Sequence, residues 1–128
     1  MKLAYLDTSA AMKLIVEEAE SSALIDALSA ERRLVAAWLL HTELHCAAGR
    51  HPETVDVAAV NQVLDAVNLA EASRGDLVAA GAHSPLRSAE AIHLAVAIRL
   101  GVDEMVTYDH ELTDAARRVG IAVLSPGR

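Results

Sequence analysis

Short apolar segments alternate with longer helical patterns along the whole chain, and this alternation limits the possible folds more than any other feature. Five segments have the length and composition of buried strands: residues 2–6, 33–37, 68–70, 104–108 and 121–124. Helical spacing or helix-start signals mark seven others: residues 10–16, 19–30, 39–48, 60–67, 74–82, 89–100 and 109–119. Strands that alternate with helices form a parallel sheet covered on both faces. The sequence therefore predicts one three-layer α/β domain, residues 1–128, with a short parallel sheet of four to five strands flanked by helices.

One helix is expected at the centre of this fold. Residues 89–100 are apolar nearly all round, with the exceptions of Glu90, His93 and Arg99. A helix without a polar face is buried. Ser88 is expected to cap it, and His93 is expected to be a hydrogen-bonded core residue. The helix at 39–48 is expected to stop at Gly49.

Hydrophobic runs, cysteine count and net charge limit where the protein is located and what it binds. No apolar run approaches the ~18 residues that span a bilayer, and the N-terminus reaches Asp7 without an apolar signal segment. The single cysteine, Cys46, is expected to be a small buried residue. A cytoplasmic protein with no membrane partner is predicted. The net charge of −7 argues against passive nucleic-acid binding, but cations at a carboxylate cluster would reverse the local field.

Four carboxylates from distant positions are predicted to meet at one edge of the sheet. Asp7 follows the first strand and Asp109 follows the fourth, and carboxyl ends of parallel strands form the sites of such sheets. Glu43 lies early in the helix after the second strand, and Glu90 lies in the first turn of the central helix. Such a cluster is relieved by a hard cation such as Mg²⁺, which prefers oxygen ligands.

Each acid also has a simpler interpretation when it is taken alone. Asp7 and Asp109 could be helix caps, Glu90 a favourable first-turn acid, and Glu43 a solvated helix residue. The coincidence of all four at one edge favours a site. Arg87 could pair with a site carboxylate. Three further acids are expected outside the site: Asp103 and Glu104 in a solvated turn, and Asp114 on the surface.

A zinc site is a weaker interpretation of the histidines. His41 and His45 are spaced i and i+4 on one helix. The zinc-protease pattern needs Glu directly after the first His, whereas Glu43 lies two residues on and about 200° around the helix.

The motifs together resemble the PIN domain, and more narrowly the VapC toxins of bacterial toxin–antitoxin pairs. They are YLDTSA at 5–10, TEL at 42–44, LRSAEAIHLA at 86–95 and VTYDHEL at 106–112. The resemblance spans residues 5 to about 124 in the family's order. One departure is that the third acidic position, most often Asp in the family, is Glu90 here.

The resemblance implies a Mg²⁺-dependent endoribonuclease, with Mn²⁺ as the alternative metal. Metal-assisted hydrolysis would cut RNA such as tRNA or ribosomal RNA and leave a 5′-phosphate. It also implies a cognate VapB-type antitoxin and a homodimer. The implied catalytic residues and metal ligands are Asp7, Glu43, Glu90 and Asp109, supported by the hydroxyls of Ser9 and Thr107. Arg87, predicted from its position before the central helix, is the third supporting residue.

Two alternatives remain open at this stage. A metal-dependent phosphatase of the haloacid-dehalogenase type also starts with an Asp after its first strand, but it needs a second Asp where this chain has Ser9. A catalytically degenerate PIN fold could act only as an interaction module. The complete set of four acids favours the nuclease.

Overall fold

The computed structural model describes residues 1–29 and 31–128. The elements follow one another in the order β1 (Lys2–Leu6), α1 (Thr8–Ile15), α2 (Ser21–Leu28), β2 (Arg32–Ala37), α3 (Leu39–Arg50), α4 (Val57–Asp65), β3 (Asn68–Ala70), α5 (Arg74–Ala80), α6 (Ser88–Leu100), β4 (Glu104–Val106), α7 (His110–Arg118) and β5 (Ala122–Leu124).

The five strands form one parallel sheet in the order β3-β2-β1-β4-β5. From β1 the chain runs outward through β2 to β3, and then returns to the other side of β1 with β4 and β5. Because crossovers between parallel strands are right-handed, α1 to α4 cover one face and α5 to α7 the other. The packing agrees, since α1 contacts α2, α3 and α4, whereas α6 contacts α5 and α7. The three-layer α/β fold predicted from the sequence is confirmed.

The winding direction reverses between β1 and β4, and this reversal fixes where a crevice forms. In open parallel sheets such a crevice lies at the carboxyl ends of the strands. The backbone N–H of Asp7 donates to the carbonyl of Val106 at 3.2 Å, so the ends of β1 and β4 stay side by side. The core around them is closed to solvent, with Tyr5, Leu94 and Met105 fully buried. The expectation that α6 is the central buried helix is also confirmed.

Several local expectations are wrong. The third helix continues through Gly49 to Arg50, because the glycine keeps a helical conformation and His51 takes the C-cap position. The strand expected at 104–108 ends at Val106, where the chain turns to start α7. The helix expected to be capped by Ser88 instead has Arg87 at its N-cap, without a side-chain cap bond. The second helix, expected at 19–30, is shorter and spans Ser21–Leu28, with Ser29 at its C-cap; the expected last residue, Ala30, lies outside the described residues.

Two burial expectations also fail. Cys46 is exposed, because it lies two residues from buried Leu44, which puts it about 200° away around α3. Glu104, expected in a solvated turn, is only 5% exposed. It is the first residue of β4, and its Oε1 accepts from Arg32 Nε at 3.1 Å. None of the helices within residues 1–29 and 31–128 has the length and apolarity needed to cross a bilayer.

Candidate active site

All four predicted acids line one cavity of about 500 Å³ at the carboxyl edge of the sheet. Arg87, Ser9 and His93 line it as well. The cavity lies where β1 and β4 end, the point at which the winding of the sheet reverses. The topology thus brings together side chains that are up to 102 residues apart in the sequence, Asp7 and Asp109 being the most distant pair.

Asp7 is the most deeply buried of the four acids, with 3% of its surface exposed. It is the N-cap of α1, and its Oδ1 accepts from the backbone N–H of Ala10 at 2.9 Å. The simpler interpretation of Asp7 as a cap is therefore correct, and it coexists with the position in the cavity. Burial raises the pKa of the Asp7 carboxyl, although its hydrogen bonds and nearby His93 act in the opposite direction.

Two hydroxyl groups, one from α1 and one from the residue after β4, donate to Asp7. Ser9 Oγ donates to the Asp7 carboxylate at 2.8 Å, and Thr107 Oγ1 donates to Oδ2 at 2.5 Å. The two hydroxyl oxygens lie 3.3 Å apart. Ser9 and Thr107, predicted as supporting residues, therefore both contact Asp7 directly. Thr107 itself is fully buried, which makes this arrangement rigid.

Glu43 is held by a histidine that the sequence analysis did not assign to the site. Glu43 Oε1 accepts from Thr8 Oγ1 at 2.7 Å and lies 2.6 Å from His93 Nε2. Burial pushes the pKa of Glu43 upward, but the hydrogen bonds from His93 and Thr8 outweigh it, so the pKa is lowered. His93 is 2% exposed and its Nδ1 lies 2.6 Å from Tyr5 Oη.

The expectation that His93 is a hydrogen-bonded core residue is confirmed, but its partner is a site carboxylate. The contact joins residues 50 positions apart, so no local pattern could reveal it. One signal was present in the sequence. His93 lies three residues after Glu90, and side chains at this spacing share a helix face.

Glu90 and Asp109 are held less firmly. Asp109 is the N-cap of α7, and its Oδ1 accepts from Leu112 N at 2.8 Å. No described residue donates to Asp109 Oδ2 or to the carboxylate of Glu90, and both side chains are half-buried. Arg87 is exposed, and within the described ranges it forms no ion pair with any of the acids. Its predicted pairing with a site carboxylate stays a prediction.

Comparison with known proteins identifies the family. Residues 4–118 match the PIN domain family. The chain belongs to the PIN-domain family. Among PIN-domain relatives, Ribonuclease VapC46 of Mycobacterium tuberculosis (strain ATCC 25618 / H37Rv) is 38% identical over 130 residues, covering 98% of this chain and 99% of the relative. Within the family, the chain belongs to the VapC ribonucleases.

Solved PIN-domain structures share the same fold. VapC20 of Mycobacterium tuberculosis, described as a sarcin–ricin loop cleaving toxin, has a TM-score of 0.74 at 13% identity and covers 96% of this chain and 99% of its own. A toxin–antitoxin complex from Klebsiella pneumoniae has a TM-score of 0.70 at 19% identity, covering 96% of this chain and 97% of its own. At these identities the likeness shows the fold alone.

Metal dependence is general among PIN-domain VapC ribonucleases, and the cavity fits a hydrated hard cation. In residues 1–29 and 31–128, no three His, Cys, Asp or Glu side chains are placed to hold one ion directly. Mg²⁺, however, keeps several waters and takes only one or two carboxylates. The donor set is rich in carboxylate oxygens, and buried Asp7 has neutral donors but no lysine or arginine among its described hydrogen-bond partners. A divalent cation with retained waters suits this environment.

Proposed function

We propose that this PIN-domain protein is the toxin of a bacterial toxin–antitoxin pair, acting as a Mg²⁺-dependent endoribonuclease at the cavity of Asp7, Glu43, Glu90 and Asp109. The observation that carries the proposal is the gathering of these four acids around one cavity, with Asp7 buried and its pKa raised. A cluster of this kind is unfavourable without a cation and favourable with one. Family membership supplies the reaction class.

The reaction is hydrolysis of a phosphodiester by water. A bound Mg²⁺ supplies charge stabilisation at the phosphate and makes water more acidic. Hydrogen bonds from Ser9, Thr107 and the Ala10 N–H hold the Asp7 carboxylate in a defined orientation. Glu90 and Asp109 have oxygen atoms that receive no described donor, and these can orient the attacking water and accept its proton. Cleavage of the P–O3′ bond leaves a 5′-phosphate and a 3′-hydroxyl.

The proposed substrate is a structured RNA, either tRNA or ribosomal RNA. The negative net charge of −7 means that the cavity alone does not attract a polyanion. The phosphate must therefore be drawn in by the cation and by local cationic groups, of which Arg87 lines the cavity. Glu90, longer by one methylene than the Asp usual at this position, is proposed to reach the same cation from the first turn of α6.

The proposed protein partner is a VapB-type antitoxin. An apolar groove of about 220 Å³ between α1 and α4, lined by Leu14, Val63 and Val67 among others, offers a surface for a peptide segment. A basic side chain on that segment would pair with the acids of the cavity, in keeping with the −7 charge. The toxin–antitoxin complex from Klebsiella pneumoniae has this fold.

We also propose a homodimer and a cytoplasmic location. Leu77 and Val78 of α5 are 52% and 73% exposed, and an apolar surface of this kind favours self-association. Light scattering of the purified protein measures the oligomeric state. The location follows from the proposed partners, since RNA and its antitoxin occupy the cytoplasm.

The function is tested by incubating total RNA with antitoxin-free protein in Mg²⁺, in Mn²⁺ and in EDTA. Discrete fragments are expected with metal and none with EDTA, and sequencing of their ends identifies the target. Glu90→Gln is the informative variant, because it removes one site charge without changing side-chain length. The matched control is Glu111→Gln, an exposed acid in the first turn of α7.

The two variants separate the possible outcomes. Loss of cleavage in Glu90→Gln together with full cleavage in Glu111→Gln supports the site. Equal cleavage by both would exclude Glu90 from it. Intact RNA under every condition, from a folded protein that binds Mn²⁺, would instead favour an interaction module with a PIN fold.

A further inference from the structure

A buried chain of hydrogen bonds connects the centre of the sheet to one acid of the cavity. Tyr5 Oη lies 2.6 Å from His93 Nδ1, and His93 Nε2 lies 2.6 Å from Glu43 Oε1. Tyr5 is fully buried and His93 is 2% exposed, so both rings are shielded from solvent. The side chain of Glu43, by contrast, is 27% exposed and lines the cavity.

The proton positions follow from the number of donors each group possesses. The backbone N–H of Ala37 donates to Tyr5 Oη at 3.0 Å. Because the Glu43 carboxylate can only accept, the neutral imidazole donates from Nε2, and the single proton of the Tyr5 hydroxyl goes to Nδ1. A neutral imidazole that accepts at Nδ1 carries its hydrogen at Nε2. His93 therefore donates to Glu43, and Tyr5 selects the tautomer that allows this.

The same hydrogen bonds connect β1, β2 and α6, three elements that carry or directly precede three of the acids. Tyr5 lies in β1, two residues before Asp7. Ala37, which donates to it, is the last residue of β2, just ahead of the helix that contains Glu43. His93 lies one turn after Glu90 in α6. A displacement of any of these elements would disturb the chain.

The bonds to Glu43 are one-sided. Both Thr8 and His93 contact Oε1, whereas no described residue donates to Oε2. A carboxylate held through one oxygen keeps its other oxygen for a ligand. We propose that Tyr5 and His93 are positioning residues, which fix Glu43 through Oε1 and thereby present Oε2 to the divalent cation. The inference rests on the proposed function, because it assumes that a cation binds at the cavity.

The test is Mn²⁺ affinity, measured on the metal-free protein by electron paramagnetic resonance without any RNA. His93→Leu removes the donor and is expected to weaken Mn²⁺ binding by about 10- to 100-fold, the usual effect of losing a hydrogen bond to a metal ligand. His93→Gln keeps an N–H donor near the position of Nε2 and is expected to recover most of that loss. Tyr5→Phe keeps the imidazole but frees its tautomer, so an intermediate weakening is expected.

Tyr108→Phe is the matched control. It also removes a tyrosine hydroxyl, which donates to Pro126 O at 2.7 Å, but that bond lies outside the Glu43 chain. The control should lose stability without losing Mn²⁺ affinity. The double variant Tyr5→Phe/His93→Leu should bind Mn²⁺ no more weakly than His93→Leu, because Tyr5 acts only through the imidazole.

The possible failures are distinguishable. Folding of each variant is checked by circular dichroism and thermal unfolding. Unchanged Mn²⁺ affinity in folded His93→Leu and Tyr5→Phe, beside a wild-type protein that binds Mn²⁺ and cuts RNA, would overturn this inference alone. Independent losses that multiply in the double variant would overturn it as well. A wild-type protein that neither binds Mn²⁺ nor cuts RNA would overturn the proposed function and this inference with it.

Discussion

Two aspartates of this molecule have almost no exposed surface but opposite electrostatic environments. Asp7 is 3% exposed and Asp76 is 4% exposed. Both accept a backbone N–H at the start of a helix and contact a nearby serine. Asp7 caps α1, and Asp76 completes a capping box with Ser73 at the start of α5.

The difference lies in what dominates at each carboxyl: the hydrogen bond from a cation at Asp76, and desolvation by burial at Asp7. Arg99 Nε contacts both oxygens of Asp76 at 2.9 Å, and this bond holds the pKa of Asp76 below its usual value. The donors to Asp7 are hydroxyls and one amide, all neutral. Burial there outweighs them and raises the pKa of Asp7.

The comparison separates a structural acid from a site acid. Asp76 has its cation within the chain, so the protein needs nothing from solution to stabilise that charge. Asp7 has a well-formed set of donors but no cation among its described hydrogen-bond partners. Neutral hydrogen bonds orient a carboxylate without fully offsetting its desolvation. A buried acid that is oriented and lacks a countercharge is suited to bind a divalent cation.

When each aspartate is replaced in turn, the largest difference between the two variants is expected in catalysis. Asp7→Asn should reduce RNA cleavage by about 10³-fold or more, the scale of losing a central catalytic group. Asp76→Asn should leave kcat per folded molecule within about twofold. Both are measured by fragment formation from a defined RNA in Mg²⁺. If Asp7→Asn cut as well as the wild type, the assignment of Asp7 would be wrong.

The next effect is the stabilisation of the folded protein by metal. Free Mg²⁺ at about 100 times its Kd should stabilise the wild type by about 2.7 kcal/mol, or roughly 10 °C in Tm. Asp76→Asn should show the same gain, and Asp7→Asn should show little of it. Thermal unfolding with and without Mg²⁺ measures the gain, with Ca²⁺ as a test of ion size. An equal gain in all three proteins would mean that Mg²⁺ stabilises them elsewhere.

A smaller effect is expected on stability without metal. Asp76→Asn should lower the free energy of unfolding by about 1–2 kcal/mol, because it weakens the bonds to Arg99 and Ser73. The low end of the usual range applies, since Arg99 is 45% exposed and water can replace its partner. Asp56→Asn is the control, because Asp56 is an exposed cap and asparagine caps equally well. Urea titration in EDTA compares the stability of the two variants. Equal stability would show that Asp76 has no structural role.

Much of the fold could be predicted from the sequence because it depends on local patterns. Asp7 and Asp109 each follow a short apolar strand, and a parallel sheet brings such positions to one edge. The position of Glu104 could not be predicted in this way. Its burial depends on Arg32, 72 residues away, which supplies a countercharge across β1. A charged residue before an apolar run has the same local pattern whether it is paired or solvated.

In the candidate site, too, some contacts follow from local patterns and others depend on long-range packing. Ser9 and Thr107 adjoin the strand ends, so their approach to Asp7 follows from topology. The bonds from His93 to Glu43 and from Tyr5 to His93 depend on the separation between β1, α3 and α6, which no periodicity records. Asp76 was missed for the same reason, since its pairing with Arg99 joins the start of α5 to the end of α6.

The smallest and most specific effect is on the pH dependence of stability in EDTA. The folded pKa of Asp7 is raised, so its ionisation destabilises the folded protein. This cost is absent below the unfolded value of about 3.9, grows as the pH rises toward the folded pKa, and is constant above it. The folded pKa of Asp76 is lowered, so its contribution is present above about 3.9 and is lost as the pH falls through the folded pKa. Relative to Asp7→Asn, the wild type should therefore lose stability as the pH rises from 4, whereas relative to Asp76→Asn it should lose stability as the pH falls below 4. Urea titrations from about pH 3 to pH 8 give both differences, and the same sign in both would mean that Asp7 has a countercharge of its own.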